Sequence, residues 1–400
     1  SASGAKIEDA FVIDVRGKTI MPGIIDTHLH TTGFNNANES TKDGILFPLA
    51  AYGVTTVYDP SPQSVAETSN LTFASNADDY NGATYYSAGQ AILGNYGHPA
   101  SVRINSIEDA RAYVGRLATS NVPIVKEYLN PTPSKRRWLV QAAHEYGLGV
   151  TSHLEYTMRS KLSSIQEGYT GIEHEIFLRP KHLYHDVRSF FKLSGISITP
   201  TLFDVDSTVT VPYLLSRSNQ DTGFHCLVDG NVISRVSRIR DGLGWESGRP
   251  VIPEWKLRAF SQYAELLEDG VLVSIGSHSE PPGLAAHWEM WSLALGGASP
   301  MSVLRAATVN GAEKLGMEDR IGALRVGMDA DMVILNSNPL DDMFLSQDIA
   351  TVVRRGREIT WPEGNAWPSS WTPSSEWSQC KDWFMQRSRA ILSQAASSQR

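Results

Sequence analysis

Eight short apolar runs, rich in β-branched residues, recur along the 400-residue chain and alternate with stretches of helical periodicity. The runs cover residues 24–30, 55–59, 84–89, 122–128, 149–153, 171–175, 196–202 and 271–278. Strands that alternate with helices form parallel sheets, and eight such units are the number that closes a (β/α)8 barrel. The sequence therefore predicts an α/β fold of the TIM-barrel type.

The segments on either side of the eight runs predict a second, smaller unit. Residues 319–360 contain short alternating strand patterns separated by Gly and Asp turns, and residues 1–23 contain a further pattern of this kind. We expect the two segments to form one composite β-sandwich beside a barrel that spans 24–318. The polar, weakly periodic stretch 203–265 is predicted to be an insert in the barrel, and 361–400 form a Trp-rich tail.

Composition excludes several classes of partner. The formal net charge is −8, from 35 Lys and Arg against 43 Asp and Glu, and the basic residues are scattered along the chain. This distribution disfavours nucleic acid and anionic membrane surfaces as partners and leaves a small-molecule substrate. No run approaches the roughly 18 apolar residues of a membrane span and no signal peptide is visible, so a cytoplasmic location is favoured but not established.

Histidines stand at the ends of several predicted strands. His28 and His30 are two residues apart at the end of the first run, so both side chains face the same way. His153 ends the fifth run and His174 lies near the end of the sixth. The carboxyl ends of barrel strands form the rim where active sites lie. Four imidazoles on one rim predict a site for a divalent metal.

Lys126 lies near the end of the fourth run. An unpaired ammonium group in a barrel interior would be costly, so a buried lysine at this position needs a special role. The alternative is a lysine whose stem follows the strand end and whose ammonium reaches solvent. The residues alone leave both interpretations open.

The motifs around these residues resemble those of the amidohydrolase superfamily, in its imidazolonepropionase and prolidase-like branch. The resemblance is strongest to the amidohydrolase domains that follow TolB-type β-propellers, and it runs from about residue 10 to residue 357. It rests on the segments GKTIMPGIIDTHLH, YGVTTVYDP, GNYGHPAS, IVKEY, GVTSHLE, GIEHE and IGALRVGMDADMVIL.

The resemblance implies a barrel with a composite β-sandwich and one or two divalent ions, with zinc the expected metal. It implies that His28 and His30 hold the more buried ion, that His153 and His174 hold the second, and that Lys126, carboxylated on its amine, bridges the two. A carbamate is an anionic ligand, so it would remove the objection to a buried lysine. The implied reaction is hydrolysis of an amide or other C–N bond in a small organic or peptide-like substrate by a metal-activated water.

The end of the eighth run departs from the superfamily pattern, in which an aspartate serves as the base. His278 stands there instead, as the propeller-linked branch also has. A histidine keeps a proton acceptor and a ligand atom but removes one negative charge, which weakens the binding of a second cation. We assign His278 as the catalytic or ligand residue, with Glu280 as the alternative base.

Two further residues are candidates for substrate binding. His98 follows the third run in a loop, where a plain surface position is the alternative, and Tyr128 faces the same way as Lys126 and can donate to a substrate carbonyl.

Two other functions stay open. One is a non-hydrolytic lyase, decarboxylase, isomerase or cyclase on the same scaffold, in which His278 moves a proton. The other is a catalytically silent interaction module. The sequence also leaves open whether the chain forms a homo-oligomer and whether it belongs to a longer polypeptide.

Overall fold

The computed structural model describes most of the predicted barrel and the segments that flank it. The described residues are 12–31, 39–61, 65–90, 92–93, 102–128, 132–153, 158–174, 183–202, 210, 213–214, 217, 252–278, 281–360, 381–382 and 384–385.

Two parallel sheets contain the eight predicted runs. The smaller sheet has the order β2 (Ile24–Asp26), β3 (Val54–Asp59) and β4 (Thr84–Ser87). The larger sheet has the order β5 (Ile92–Leu93), β6 (Ile124–Tyr128), β7 (Gly149–Ser152), β8 (Gly171–Glu173), β9 (Ser197–Thr199) and β10 (Leu272–Val273). Every predicted run contains one strand, and β5 is an addition. The α/β class with parallel strands is confirmed.

Backbone hydrogen bonds join the two sheets at one seam. The N–H of His278 donates to the carbonyl of His28 at 2.6 Å, and the N–H of His30 donates to the carbonyl of His278 at 3.1 Å. Oδ1 of Asp26 accepts from the N–H groups of His28 and Ser277, each at 3.1 Å. The first and eighth runs therefore lie side by side, as closure of a barrel requires.

Helices separate the strands along the chain, as a parallel sheet requires. They are α1 (Glu39–Ala51), α2 (Val65–Ser75), α3 (Ile107–Ala118), α4 (Pro133–Glu145), α5 (Met158–Gln166), α6 (His185–Ser194), α7 (Glu254–Glu268), α8 (Leu284–Leu295), α9 (Pro300–Ala306) and α10 (Val309–Lys314). Among these helices, none is both long enough and apolar enough to cross a lipid bilayer. Most of the predicted insert lies outside the described residues, and its last part, 254–265, belongs to α7.

A four-stranded antiparallel sheet combines segments from both ends of the barrel sequence. Its order is β1 (Thr19–Pro22), β11 (Met332–Leu335), β12 (Ile349–Arg354) and β13 (Arg357–Glu358). A short 3-10 helix (Met343–Gln347) lies between β11 and β12. One sheet does not establish a sandwich, which stays a prediction. Of the Trp-rich tail, only positions 381–382 and 384–385 are described, and Phe384 packs against Phe47 with the ring centroids 5.5 Å apart.

Large buried side chains of the hydrophobic core lie where α7 and α8 meet. Trp288, Trp291 and Phe260 are each fully buried there. A Cβ atom at Gly296 would lie 2.4 Å from the carbonyl carbon and oxygen of Phe260, so the two helices approach closely only because this residue has no side chain.

His287 lies on α8 and makes two hydrogen bonds that fix its neutral tautomer. Nε2 is 2.9 Å from the carbonyl of Tyr52, which can only accept, so Nε2 carries the proton. Nδ1 therefore accepts from the hydroxyl of Ser346 at 2.9 Å, and that hydroxyl accepts from Nε1–H of Trp291 at 3.0 Å. Burial lowers the pKa of His287 from 6.5 to about 4, although the bond to Tyr52 opposes the shift.

We expect His287 to make the free energy of unfolding fall as the pH drops from 6.5 toward 4. In this window the unfolded chain binds a proton on the imidazole and the folded chain does not, so protons favour unfolding. The whole shift is worth roughly 3 kcal/mol. Urea unfolding of the wild type and of His287→Gln, each at pH 7 and pH 4.5, measures the effect. An identical pH dependence in both proteins would contradict the assignment.

Candidate metal centre

Five histidines meet at the carboxyl ends of the parallel strands. His28 and His30 follow β2, His153 follows β7, His174 follows β8, and His278 lies at the seam beyond β10. The centroids of neighbouring rings are 4.5 to 5.2 Å apart. The structure thus brings together, at one rim, the histidines that the sequence analysis selected from separate strands.

Three of these rings form the tightest group. Ligand atoms of His28, His30 and His278 lie within 4.8 Å of one another. The two Nε2 atoms of the H-x-H pair are only 3.2 Å apart. His278 therefore stands among the candidate ligands, at the position where most superfamily members are expected to have aspartate.

Each ring of the H-x-H pair has a buried carboxylate near its Nδ1 atom. Nδ1 of His28 is 2.6 Å from Oε2 of Glu173, and both side chains are fully buried. Nδ1 of His30 is 3.6 Å from Oδ1 of Asp59. A carboxylate partner favours the proton on Nδ1, which leaves a lone pair on Nε2. Two lone pairs that face each other at 3.2 Å repel, so this point requires a proton or a cation.

Several buried nitrogen atoms in the cluster have no hydrogen-bond partner within the described part of the chain. They are Nε2 of His174, Nδ1 of His153 and Nζ of Lys126. The other ring nitrogen of His174 is held by Oγ1 of Thr201 at 3.1 Å. A buried polar atom without a partner is costly, and a metal ligand set is one arrangement that removes this cost. These residues fit a bound metal ion.

Burial favours the neutral form of four of these imidazoles. It lowers the pKa of His153 to about 2, with the charge of Lys126 contributing to the shift. Burial also lowers the pKa values of His28 and His174 well below the ordinary range. The pKa of His30 is lowered by burial too, although its carboxylate partner opposes the shift. Neutral imidazole is the form that binds a metal.

Lys126 lies inside the protein. Its side chain in β6 is 1% exposed, which excludes the alternative of a solvent-reaching lysine. Burial lowers the pKa of its amine from 10.5 to about 8, while the negative charge of Glu173 acts in the opposite direction. A neutral amine is therefore more accessible here than on a surface lysine.

The candidate substrate residues differ in outcome. The ring of Tyr128 stacks on the ring of His153, with centroids 3.8 Å apart and planes 18° from parallel, so Tyr128 lies beside the cluster. His98 and Glu280 lie outside the described residues, and their roles stay predictions.

Glu173 and Asp59 were missed by the sequence analysis. Glu173 precedes His174 in the segment GIEHE, and Asp59 is the last residue of β3. Burial alone would raise the pKa of Asp59, but the nearby His30 ring and the hydrogen bonds from the N–H and hydroxyl of Thr31 lower it. The available signal was a carboxylate at a strand end, in the same rim as the histidines.

Backbone features bring the eighth run close to the first. A Cβ atom at Gly276 would lie 2.6 Å from Cβ of His28 and 2.4 Å from Cγ2 of Thr199, so only glycine fits. His174 and His278 have φ values of 67° and 58°, in the left-handed region that residues with side chains rarely adopt. Backbone strain of this kind clusters at functional sites.

Comparisons with known proteins find curated relatives that resemble about a quarter of the chain. Imidazolonepropionase of Symbiobacterium thermophilum is 33% identical over 107 residues, which are 25% of this chain and 25% of the relative. Ochratoxinase of Aspergillus niger is 28% identical over 109 residues, 26% of this chain and 23% of the relative. The aligned part of the chain thus spans about a quarter of the length of these curated relatives.

Solved structures extend the likeness over almost the whole chain. A Xaa-Pro dipeptidase with bound methionine has a TM-score of 0.65 at 18% identity, with 90% of each chain covered. A putative prolidase from Bifidobacterium longum has a TM-score of 0.63 at 23% identity, with 93% of this chain and 86% of that chain covered. At these identities the likeness shows a shared fold.

The family model described as Amidohydrolase family matches residues 19–359. This match extends from β1 to the end of the antiparallel sheet and includes all five histidines of the cluster. Together with the solved structures it implies a TIM-barrel fold. The chain belongs to the amidohydrolase family.

Proposed function

We propose that the chain is a metal-dependent hydrolase that cleaves an amide or other C–N bond in a small organic or peptide-like substrate. The observation that carries this proposal is the convergence of five histidines at one rim, where Nδ1 of His153 and Nε2 of His174 are buried without a hydrogen-bond partner in the described part of the chain. Family membership and the hydrolase relatives support the reaction class. Zinc suits imidazole ligands, so it is the metal that we propose.

The proposal includes a closed (β/α)8 barrel. The seam places the first and eighth runs side by side. β4 ends at Ser87 and β5 begins at Ile92, so the two short strands can serve as consecutive parts of the third barrel strand. This gives eight strand positions in cyclic order. We retain 24–318 as the barrel, and 1–23 with 319–360 as its composite β-sandwich.

The candidate ligands would divide into two sets. His28 and His30 would hold one ion, with His278 as a further nitrogen at that position. His153 and His174 would hold a second ion, and Lys126 would bridge the sets if its amine carries a carboxyl group. A bound zinc ion would lower the pKa of a water molecule and polarise the scissile carbonyl. The buried amine of Lys126 supports the carbamate, because carboxylation replaces a buried cation with an anionic ligand.

The protein residues around the ions would position the substrate and move protons. As the alternative to metal ligation, a ring nitrogen of His278 would accept the proton of the attacking water and return it to the leaving amine, because an imidazole that binds an ion through one nitrogen has no free lone pair on the other. The hydroxyl of Tyr128, whose ring is held against His153, would donate to the substrate carbonyl. We keep His98 as a substrate-binding residue and Glu280 as the alternative base.

A non-hydrolytic enzyme is the second candidate, and His278 is the observation that favours it. Its ligand atom lies within 4.8 Å of those of His28 and His30, where a carboxylate would have supplied one negative charge. With one charge fewer, the centre favours a single ion, which can polarise a carbonyl or carboxylate while His278 moves a proton. A lyase, decarboxylase, isomerase or cyclase would use this arrangement.

Metal content and a carbamate signal test these alternatives. We would purify the chain without chelator, measure zinc per chain, and record a 13C spectrum in labelled bicarbonate for the wild type and Lys126→Gln. Two ions with a carbamate resonance that Lys126→Gln loses, together with hydrolysis of N-acyl amino acids or dipeptides, are the expected result. One ion without a carbamate would favour the non-hydrolytic enzyme. No bound metal would overturn both and leave a silent interaction module.

A further inference from the structure

A second buried lysine is hydrogen-bonded to the carboxylate that contacts a histidine of the cluster. Lys314 is the last residue of α10, and its side chain is 0% exposed. Its Nζ donates to Oε1 of Glu173 at 2.8 Å and to Oγ1 of Thr199 at 2.5 Å. The ammonium therefore lies among the strands although its backbone belongs to a helix near the end of the barrel sequence.

The helix that carries Lys314 is fixed directly on the strands. A Cβ atom at Gly311 would lie 3.0 Å from Cβ of Ile25 in β2, so the absence of a side chain lets α10 approach that strand. Nδ2 of Asn310 donates to the carbonyl of Val273 in β10 at 2.8 Å. These contacts determine the position from which the lysine stem enters the interior.

The two carboxylate oxygens of Glu173 have different hydrogen-bond partners. Oε1 accepts from Lys314 and from Oγ1 of Thr151, the latter at 2.5 Å. Oε2 faces Nδ1 of His28 at 2.6 Å. The carboxylate cannot rotate away from His28 without breaking the two bonds on its other oxygen. Charge-assisted bonds of this kind are stronger than bonds between neutral groups.

The second bond of Lys314 enters a cluster of hydroxyl groups. Oγ1 of Thr27 lies 3.2 Å from Oγ1 of Thr199 and 2.9 Å from Oγ of Ser274, and Thr199 and Ser274 are 2.9 Å apart. Branched apolar side chains dominate the interior layers of a TIM barrel. Here the hydroxyl cluster, which includes the residue before His28, supplies an acceptor for the Lys314 ammonium.

We propose that Lys314 is a positioning residue of the metal centre. It holds the Glu173 carboxylate in place, and that carboxylate holds the proton of His28 on Nδ1 and presents Nε2 to the ion. The helix α10 thereby sets the metal affinity of a centre to which it contributes no ligand. This proposal rests on the metal-dependent function, and its test separates the two.

Zinc affinity is the first measurement, made on the full chain by competition with a chelator. Lys314→Met should weaken zinc binding about 10- to 100-fold, the usual range for partners of metal-ligating histidines. Lys256→Met is the matched control, since Lys256 is an equally buried lysine whose Nζ lies 5.6 Å from the centroid of the Phe260 ring in α7. The control should bind zinc as the wild type does.

A double-variant cycle tests whether Lys314 acts through Glu173. Glu173→Gln combined with Lys314→Met should bind zinc no more weakly than Glu173→Gln alone. The double variant also removes both buried charges together, so it should fold even if the lysine variant does not. A further loss of affinity in the double variant would show that Lys314 acts by another route and would overturn the proposal.

A second readout needs no metal. In the metal-free wild type, the Nδ1–H proton of His28 should give a downfield NMR resonance that is absent in His28→Ala. Lys314→Met should shift or broaden this resonance, and Lys256→Met should leave it unchanged. A wild type that binds no zinc would overturn the proposed function, while this spectrum would still test Lys314. An unchanged resonance with zinc affinity within about twofold of wild type would overturn the positioning role.

Discussion

Replacing His28 with alanine should remove bound metal and hydrolytic activity together, and His174→Ala should do the same. His28 supplies the Nε2 atom that faces its partner in the H-x-H pair at 3.2 Å, and His174 supplies a buried Nε2 without a hydrogen-bond partner in the described chain. Loss of a ligand atom should weaken metal binding by more than the roughly 100-fold upper range for loss of a ligand's hydrogen-bond partner. Elemental analysis and chelator competition measure the change.

His287→Ala is the control for these two variants. It is also a buried histidine on the same chain, but its ring bonds to Tyr52 and Ser346 on a helix outside the cluster. We expect this variant to lose stability and to keep its metal content. Circular dichroism should show a folded chain for His28→Ala and His174→Ala. Full metal occupancy in both would refute the assignment of the cluster.

Replacing Arg354 with methionine should destabilise the chain by about 3–5 kcal/mol. Arg354 lies in β12, and its residue is 1% exposed. Its guanidinium donates to the carbonyls of Ser75, Ala77 and Tyr80, and to Oγ1 of Thr84. The bonds to the carbonyls of Ala77 and Tyr80 and to Oγ1 of Thr84 are 2.9 to 3.0 Å long. One side chain thus holds the turn between α2 and β4 against the antiparallel sheet.

The expected effect is large because the substitution removes a donor from several hydrogen-bond acceptors. Methionine preserves much of the volume but provides no donor, so each of the four acceptors loses a hydrogen bond at a buried or part-buried contact. A buried acceptor that is left unsatisfied costs about 1–3 kcal/mol before relaxation. Arg357→Met is the control, because Arg357 is an exposed residue on the neighbouring strand β13. We expect it to change stability by less than about 0.5 kcal/mol. Similar urea midpoints for the two variants would contradict this role of Arg354.

The strands were predictable from the sequence because buried strands have a characteristic local pattern of residue types. β3 is buried at every position from Val54 to Asp59, and its sequence VTTVYD is rich in the β-branched and aromatic residues that favour strands. The seam was not predictable in detail, since the hydrogen bond that the N–H of Ser277 donates to Oδ1 of Asp26 joins residues 251 positions apart. Side-chain period and propensity carry no information about such pairings.

The convergence of the histidines was predictable from the sequence, and their carboxylate partners were not. His153 and His174 stand at strand ends, where the barrel geometry gives position a meaning. Glu173 and Lys314 acquire their roles only through contacts across the fold: Glu173 meets His28 at a separation of 145 residues, and Lys314 meets Glu173 at 141. A glutamate in a strand and a lysine in a helix are common residues, and the local sequence does not distinguish these two from others.

The seam also determines when the histidine cluster can form during synthesis. A ribosome that adds roughly 5–20 residues per second needs about 13–50 s to proceed from Asp26 to Ser277, which lie 251 residues apart. Until then β2 lacks its neighbour at the seam, and an open strand edge can pair with other nascent chains. β1 remains unpaired for longer still, because its partner β11 begins at Met332. The H-x-H pair is made early but can reach its final geometry only when nearly the whole barrel has left the ribosome.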